Sequence, residues 1–223
     1  MLLSPIDSLI SLIAPHSCIV CNREGTPVCS ECVEVIARAK KPVCFLCNSL
    51  SEDFKTCLAC RHKTSLRRVW VAARYESYVK DLIAQYKFER QRQSYISLAY
   101  LIERIISVRS YDVVTAVPCA SSRFRKRGYN QSELIARQVA RKLRLPYLEL
   151  LRKTGQSRQV GHSRADRLKQ VRNTIGLTGN SARGKRILII DDVTTTGATL
   201  DACASVLKSA RAKSVEAAVV AKN

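Results

Sequence analysis

Four apolar residues, two aspartates and a loop of small hydroxyl residues follow one another in the segment Ile187-Leu188-Ile189-Ile190-Asp191-Asp192-Val193-Thr194-Thr195-Thr196-Gly197-Ala198-Thr199-Leu200. The apolar residues predict a buried strand over residues 187–190, which leaves both carboxylates at its carboxyl end. The loop then leads into a helix predicted over residues 198–210. A buried strand, a short polar loop and a helix in this order are typical of α/β folds, whose ligands bind beyond the carboxyl ends of the strands.

The residue types in this loop indicate what it binds. Successive backbone N–H groups and a helix N-terminus form a cradle for an anion, and threonine hydroxyls add further donors. The two aspartates suit the hydroxyls of a ribose, because a carboxylate accepts hydrogen bonds from a sugar. The segment lacks the Gly-Lys-Ser/Thr ending of a P-loop. A helix cap rich in Asp and Thr is the alternative, but the doubled aspartates exceed what a cap needs, so we expect a site for ribose 5-phosphate or a close relative.

Short β-branched segments and longer amphipathic segments alternate from about residue 66 onward. The predicted strands cover residues 69–75, 113–117, 187–190 and 215–220, and the predicted helices cover residues 79–88, 94–106, 131–143 and 198–210. This alternation predicts an α/β domain with a parallel sheet flanked by helices, with ligand sites after Val117 and Ile190. The likeliest boundary lies at residues 61–68, so we expect an N-terminal module over residues 1–65 and a second domain over residues 66–223.

Eight of the ten cysteines form four Cys-x-x-Cys pairs, which are Cys18/Cys21, Cys29/Cys32, Cys44/Cys47 and Cys57/Cys60. Two residues between thiolates allow a tight turn to direct both sulfurs at one ion, and two such pairs complete a tetrahedral Cys₄ zinc site. The spacing predicts two successive zinc ribbons formed by sequential pairs, although a cross-braced arrangement fits the same spacing. Disulfides would need an oxidising compartment, and a redox pair would occur singly. We expect this small module to depend on zinc for its fold.

The net charge of the 223-residue chain is +20, and nineteen of these excess positive charges lie after residue 66. Such a surface attracts polyanions or phosphorylated small molecules, with solubility alone as the alternative. Residues 118–172 contain fifteen Lys/Arg and three acidic residues, interspersed with Phe124, Tyr129 and Tyr147. Cations that neutralise phosphates and rings that stack on bases are typical of single-stranded DNA binding. Part of the excess charge is also explained by a phosphate ligand and by the solvated face of a helix.

Residues 6–13 have apolar side chains at helical spacing, and the apolar stretch over residues 9–13 is too short to span a bilayer. No basic segment precedes it, so it does not resemble a secretion signal. We therefore expect a cytoplasmic protein without a membrane span.

The segment over residues 187–200 resembles the PRPP-binding motif of type I phosphoribosyltransferases, where PRPP is 5-phosphoribosyl-1-pyrophosphate. The order of the cysteine pairs, Val117-Pro118, Arg127-Gly128-Tyr129-Asn130-Gln131 and this motif resembles the ComF family of competence-associated, amidophosphoribosyltransferase-like proteins over nearly the full length. The resemblance implies a type I phosphoribosyltransferase fold with an N-terminal double zinc ribbon. It also implies a role in DNA uptake, with single-stranded DNA and proteins of the uptake machinery as partners.

The resemblance assigns roles to individual residues. It implies that Asp191 and Asp192 hold the ribose 2′- and 3′-hydroxyls, that residues 193–199 surround the 5-phosphate, and that Pro118 and Cys119 begin the pyrophosphate loop. The cations that would close on pyrophosphate or contact DNA are Arg123, Arg125, Lys126 and Arg127. Lys87 matches a basic position near the active site of the family, so the candidate catalytic residues are Asp191, Asp192, Lys87 and Arg127. Cys119 departs from the family pattern, which commonly has a bulky apolar residue there.

Transfer from PRPP depends on stabilising the charge of leaving pyrophosphate, normally with Mg²⁺ and Lys/Arg, more than on a nucleophilic side chain. The chain has these cations but shows no clear general base. We expect Cys119 and Cys203 to be packing residues. Three hypotheses stay open: a competence protein that handles single-stranded DNA with a PRPP site, a phosphoribosyltransferase acting on an unidentified acceptor, and a non-catalytic PRPP-sensing regulator.

Overall fold

The computed structural model describes residues 17–38, 41–88, 94–107, 110–155 and 174–223. The apolar segment predicted over residues 6–13 and much of the basic stretch, residues 156–172, therefore lie outside the described part. None of the helices in the described ranges has the length and apolar character needed to cross a membrane.

The centre of the fold is a four-stranded parallel sheet in the order β1-β6-β5-β2, and a separate antiparallel pair is formed by β3 and β4. The strands are β1 (Val69–Arg74), β2 (Val113–Ala116), β3 (Leu151–Lys153), β4 (Ile175–Leu177), β5 (Arg186–Thr194) and β6 (Ser214–Lys222). Nearly all residues of β1, β2 and β6, and the first half of β5, are buried. Burial on both faces is typical of parallel strands covered by helices.

Six α-helices accompany the strands in the described ranges. They are α1 (Ser30–Arg38), α2 (Ser77–Phe88), α3 (Ser94–Ile105), α4 (Ser121–Arg127), α5 (Gln131–Leu143) and α6 (Ala198–Ser209). Helices α3 and α5 pack on each other and on the sheet, and α6 packs on β5 and β6. In α5 the buried apolar residues include Ile135, Val139 and Leu143, which share one face at helical spacing. The predicted parallel sheet flanked by helices is confirmed.

Strand β5 is longer than the predicted strand over residues 187–190, because its ladder with β6 continues through the two aspartates. Asp191 pairs with Val219 and Thr194 pairs with Lys222. Backbone pairing does not depend on side-chain polarity, so the apolar run alone predicted a strand that is too short. On the other side, β2 ends at Ala116, which pairs with Ile190. The last four residues of β5 thus extend beyond their β2 neighbour, and a crevice opens at the carboxyl end of the sheet.

Strands β3 and β4 and helices α1 and α4 were not predicted from the sequence. Strands β3 and β4 have three residues each, which is too short for a period-2 pattern, and they are far apart in the chain. Helix α4 is composed largely of arginine, lysine and serine and has no apolar stripe.

The cysteine module packs directly against the sheet domain. Its helix α1 lies on α3, and the ring of Phe54 lies 5.6 Å from the ring of Trp70, measured between centroids. Buried residues of the module belong to the same hydrophobic core as the strands of the sheet. The predicted boundary near residue 65 stays a prediction.

Candidate ligand site and metal centres

Three elements bring polar side chains together at the carboxyl end of β5. The hydroxyl of Ser132, at the start of α5, donates to Asp191 Oδ1 over 2.7 Å, and the backbone N–H of Asp192 donates to the same oxygen over 2.9 Å. Lys87 Nζ, near the end of α2, lies 2.6 Å from Asp192 Oδ2. The side chains of Lys87 and Asp192 are only 19% and 14% exposed. The structure therefore brings three of the four candidate catalytic residues into one partly buried cluster.

The environment of Asp191 disfavours its negative charge. Burial, together with the neighbouring charge of Asp192, raises the pKa of Asp191 to about 7. The hydrogen bonds from Ser132 and from the backbone of Asp192, and the positive charge of Lys87, act in the opposite direction without cancelling the effect of burial. A bound cation or a set of hydroxyl donors would favour the ionised form, so this carboxyl is suited to a ligand that supplies them.

Two buried tyrosines hold the elements of this cluster together. The hydroxyl of Tyr86 donates to the carbonyl of Gln131, and the hydroxyl of Tyr129 donates to the carbonyl of Tyr86, both over 2.9 Å. Their ring centroids are 6.0 Å apart. Because Lys87 follows Tyr86 and Ser132 follows Gln131, this reciprocal pair fixes both polar residues against β5. The Arg127-Gly128-Tyr129-Asn130-Gln131 motif thus has a structural role at the site.

The loop between β5 and α6 has the features of an anion cradle. Gly197 precedes α6 with a φ of +77°, a left-handed conformation that favours glycine. Because glycine has no side chain, no side-chain hydrogen bond caps the helix. Thr194 is buried, whereas Thr195, Thr196 and Thr199 are exposed. The backbone N–H of Ala198 makes a 3.4 Å contact with Thr196 Oγ1. The first turn of a helix has N–H groups without intrahelical partners, and these are available to an anion.

Pro118 and Cys119 follow β2 and border a cavity of about 390 Å³. The cavity lies between β2, the two helices that follow it and β3, with Asn130 and Lys153 among its lining residues. The amide of Asn130 donates to the carbonyl of Val117 over 3.1 Å and so holds the start of this loop. Burial raises the pKa of the Cys119 thiol, although Arg123 and Arg127 act in the opposite direction. The packing role expected for Cys119 stays a prediction, because its side chain is only partly buried and lines the cavity.

The predicted cations lie together on α4. Arg123 and Arg125 are exposed, Arg127 is partly buried, and Arg125 lines the cavity beside Cys119. The side chain of Lys126 lies outside the described part. These residues border the pyrophosphate-loop region, whereas Lys87 forms an ion pair with Asp192.

Two polar residues at the site were missed by sequence analysis. Ser132 contacts Asp191, and Lys153 Nζ donates to Thr174 Oγ1 over 2.8 Å while lining the cavity. Burial lowers the pKa of Lys153. Ser132 is a buried hydroxyl at the first turn of an amphipathic helix, which is a weak signal, and nothing local distinguishes Lys153 from the other cations of the basic stretch. Cys203 is fully buried, and burial raises the pKa of its thiol, in agreement with the predicted packing role.

The eight paired cysteines form two groups in sequential order, and within each group the four Sγ atoms lie within 4.8 Å of one another. Cys21 Sγ and Cys29 Sγ are 3.7 Å apart, and Cys47 Sγ and Cys57 Sγ are 3.6 Å apart. A tetrahedral zinc with Zn–S bonds of about 2.3 Å has sulfur–sulfur edges of about 3.8 Å, whereas a disulfide is about 2.05 Å long. Both groups therefore fit a metal ion, and the sequential pairing is the one the fold adopts.

Local hydrogen bonds favour the thiolate form, which a metal ligand needs, at Cys18 and Cys47, whereas burial raises the pKa of the Cys32 and Cys60 thiols. The backbone N–H of Cys29 donates to Cys18 Sγ over 3.4 Å. The hydrogen bond with the Ser49 hydroxyl, 2.9 Å away, lowers the pKa of the Cys47 thiol to about 6. Zinc held by these residues would supply folding free energy to a module with little core of its own.

The family model described as "Phosphoribosyl transferase domain" matches residues 130–223, which include β5, the loop and α6. The chain is 27% identical to the competence protein ComFC of Streptococcus pneumoniae over 216 residues, or 94% of each chain. It is 28% identical to competence protein F of Haemophilus influenzae over 81% of this chain and 84% of that protein. It is 29% identical to the DNA utilization protein YhgH of Escherichia coli O6:H1 over 81% of this chain and 83% of that protein.

Among solved structures, the chain is similar to an allosteric regulatory enzyme of purine biosynthesis, with 24% identity and a TM-score of 0.41. This similarity covers 56% of this chain and 25% of that structure, so the chain spans about a quarter of its length.

The metal centres give a stoichiometry that can be measured. We expect two zinc ions per chain by elemental analysis, because the four ligands of each group come from their own pair of neighbouring knuckles. Cys21→Ser and Cys47→Ser should each lower the zinc content by one ion and lower the melting temperature. Cys119→Ser, outside both groups, should keep both ions. A wild-type protein with one zinc per chain would contradict two independent centres.

The raised pKa of Asp191 predicts a particular pH dependence of stability. A carboxyl with a pKa near 3.9 when unfolded and about 7 when folded binds its proton more tightly in the native state, so it lowers stability as pH rises from about 4 to 7. Asp191→Asn should therefore gain stability over the wild type across this interval, on the order of a few kcal/mol. The measurement is urea unfolding at pH 5 and pH 8.

Asp112 provides a control of opposite sign. The hydrogen bonds from Arg186 lower the pKa of Asp112 to about 2, so its contribution to stability is present above pH 4 and is lost on acidification. Asp112→Asn should be less stable than the wild type at both pH 5 and pH 8. An Asp191→Asn effect equal at the two pH values would contradict the raised pKa.

Proposed function

We propose that this chain binds PRPP with Mg²⁺ while handling single-stranded DNA. The proposal starts from its similarity to competence proteins over most of its length and from the match of residues 130–223 to the phosphoribosyl transferase domain. The observation that carries the proposal is the cluster of Asp191, Asp192, Lys87 and Ser132 beside the uncapped start of α6. Carboxylates for sugar hydroxyls thus lie next to backbone donors for a phosphate.

The proposed ligand arrangement follows the chemistry of each part of the crevice. Asp191 and Asp192 accept hydrogen bonds from the ribose hydroxyls, and residues 193–199 surround the 5-phosphate with backbone and threonine donors. The pyrophosphate lies toward Pro118 and Cys119. Mg²⁺ prefers oxygen ligands and is usually held by one or two carboxylates together with substrate phosphates, which suits this site. Lys87, paired with Asp192 before the ligand binds, supplies positive charge to the incoming phosphates.

The DNA part of the proposal rests on α4 and on the charge of the chain. Phe124 is 48% exposed between two exposed arginines, Arg123 and Arg125. An exposed ring flanked by cations is suited to stack on a base while the arginines contact phosphates. The names of the relatives point the same way, since two are competence proteins and a third is a DNA utilization protein. Proteins of the uptake machinery are further proposed partners.

Phosphoribosyl transfer is a second candidate function, favoured by the cavity of about 390 Å³ beside Cys119. It offers space for an acceptor next to the pyrophosphate loop, and Glu133, Tyr147 and Glu149 line it. In such a transfer a nucleophile of the acceptor forms a bond to C1 of the ribose, and the bond from C1 to pyrophosphate breaks with its electron pair leaving on pyrophosphate. The cations Lys87 and Arg127 would stabilise that leaving group. If the protein binds PRPP but releases no pyrophosphate with any acceptor tried, the third hypothesis, a non-catalytic PRPP-sensing regulator, would be favoured.

The ligand assignment is tested by titrating Mg²⁺-PRPP into the zinc-loaded protein in a calorimeter. Asp191→Asn/Asp192→Asn should weaken binding by roughly 100-fold or abolish it, since each lost charged hydrogen bond is worth about 1.5–3 kcal/mol. The control is Glu24→Gln/Asp81→Asn, which removes the same charge from two exposed positions. Unchanged affinity in the aspartate pair variant would remove the site assignment, and no binding by the wild type would remove the proposed ligand.

DNA binding is tested by the fluorescence anisotropy of a labelled single-stranded oligonucleotide between 50 and 200 mM salt. We expect affinity to fall steeply with salt, and Arg125→Ser should lower the slope by about 0.7, the value for one phosphate contact on a single strand. Phe124→Ala should weaken binding by about 1–3 kcal/mol at every salt concentration. Arg183 is exposed just before the amino end of β5, opposite the carboxyl end where the ligand site lies. Arg183→Ser should leave both the salt slope and the affinity unchanged. An affinity that does not depend on salt would contradict this part of the proposal.

A further inference from the structure

One cysteine centre touches the proposed phosphate loop. Phe45 lies between two ligands of the second centre, Cys44 and Cys47, and is only 2% exposed. Its ring lies so close to Gly197 that a Cβ atom placed on this glycine would be 2.6 Å from Phe45 Cε2 and 3.0 Å from Cδ2. The ring therefore covers the backbone at the point where the loop becomes α6.

A second set of contacts holds the first turn of α6. The hydroxyl of Thr64 and the backbone N–H of Ser65 both donate to Asp201 Oδ1 over 2.7 Å, and Asp201 is 4% exposed. These two residues follow Cys60, the last ligand of the second centre, by only a few positions. The module thus contacts the helix whose N-terminal N–H groups form the proposed cradle.

A third contact lies at the start of the loop. Lys222 Nζ donates to the carbonyl of Phe45 over 2.7 Å and to Asn48 Oδ1 over 2.6 Å. Lys222 is also the β6 residue paired with Thr194, where the loop begins. The knuckle therefore contacts the end of the loop directly at Gly197 and reaches its start indirectly, through Lys222 of β6.

The interface between the module and the loop leaves little free space. The cleft lined by Phe45, Thr64, Thr196 and Gly197 has a cavity volume of about 10 Å³. That is at the lower limit for a single water molecule. A closely packed contact of this kind transmits a change of the knuckle to the loop backbone, because packed atoms cannot shift independently.

The contacts around the first centre go elsewhere. Ser97 of α3 donates to the carbonyl of Val28, which precedes Cys29, and Arg104 of α3 forms an ion pair with Glu34 of α1. The two centres therefore support different parts of the sheet domain, even though their ligand spacing is nearly the same.

We propose that the second Cys₄ metal centre is a structural part of the 5-phosphate cradle and that Phe45 is its positioning residue. The inference rests on the proposed PRPP site. With metal bound, Cys44 and Cys47 are fixed and the ring between them holds Gly197. Without metal the knuckle loosens, and the loop must be ordered when the ligand binds, which lowers affinity. Loss of metal from the first centre leaves the cradle intact.

The test compares two phenylalanines of the same module in the full-length protein. Phe45→Ala should weaken binding of ribose 5-phosphate and Mg²⁺-PRPP roughly tenfold, because one ordering contact of about 1.4 kcal/mol corresponds to that factor. Phe54→Ala is the matched control, since Phe54 is also buried but packs on Trp70 and not on the loop. It should retain wild-type affinity. Zinc content and circular dichroism are measured for both variants, and Phe45→Leu, which keeps the burial without the ring, replaces Phe45→Ala if that variant does not fold.

A spectroscopic signature separates positioning from general destabilisation. In ³¹P NMR of Mg²⁺-PRPP bound at saturation, Phe45→Ala should shift the 5-phosphate resonance and leave the two diphosphate resonances unchanged. A second comparison uses one exposed metal ligand from each centre. Cys47→Ser, in the second centre, should weaken binding of ribose 5-phosphate, and Cys21→Ser, in the first centre, should not.

The outcomes are distinguishable from failure of the PRPP site itself. If the wild type binds no PRPP, the proposed function fails. If the wild type binds and a folded, zinc-loaded Phe45 variant binds ribose 5-phosphate equally well, the role of the second centre is overturned. An equal loss in Cys21→Ser and Cys47→Ser would overturn it as well.

Discussion

The unequal length of neighbouring parallel strands is the constraint on which the candidate site depends. Strand β5 continues along β6 to Thr194, whereas β2 stops opposite Ile190. The aspartates are consequently fixed by a backbone ladder on one side and face a crevice on the other. If β2 were four residues longer, its backbone would occupy that crevice. Ser132 and Lys87 contact the two carboxylates at this end of the sheet.

A pair of adjacent carboxylates in a partly buried crevice has an electrostatic cost, and the surrounding fold offsets it only in part. Lys87 neutralises Asp192, and Ser132 donates to Asp191, yet burial still keeps the pKa of Asp191 near 7. The hydroxyl hydrogen bonds of Tyr86 and Tyr129 join the end of α2 to the start of α5, and Lys87 and Ser132 lie directly beside them. The remaining imbalance would be relieved by positive charge or hydrogen-bond donors beside this carboxyl, as expected where stability is exchanged for function.

The parts that could be predicted from the sequence are those encoded within a few residues of one another. The apolar run at 187–190, the glycine before a helix and the Cys-x-x-Cys spacing each predict a structure that depends mainly on local geometry. The contacts of Ser132 with Asp191 and of Phe45 with Gly197 join positions 59 and 152 residues apart. They follow from strand order and helix packing, and no periodicity of the chain records them. For the same reason the three-residue strands β3 and β4 went unrecognised, and β5 was predicted too short because its length is determined by β6.

The two metal centres illustrate why ligand spacing alone cannot reveal what a cysteine module is for. Both have sulfur–sulfur distances of a tetrahedral site, and both belong to one small module. The first centre lies beside α3. In the second centre, Phe45 stands between two of the ligands in the sequence, and its ring lies against Gly197 at the start of α6. Loops that bind ligands usually come from the least stable parts of a fold. Here the loop is enclosed by β6 on one side and a metal knuckle on the other, so part of its ordering entropy is lost during folding and no longer opposes binding. The module is therefore better regarded as one wall of the proposed ligand crevice than as an appendage.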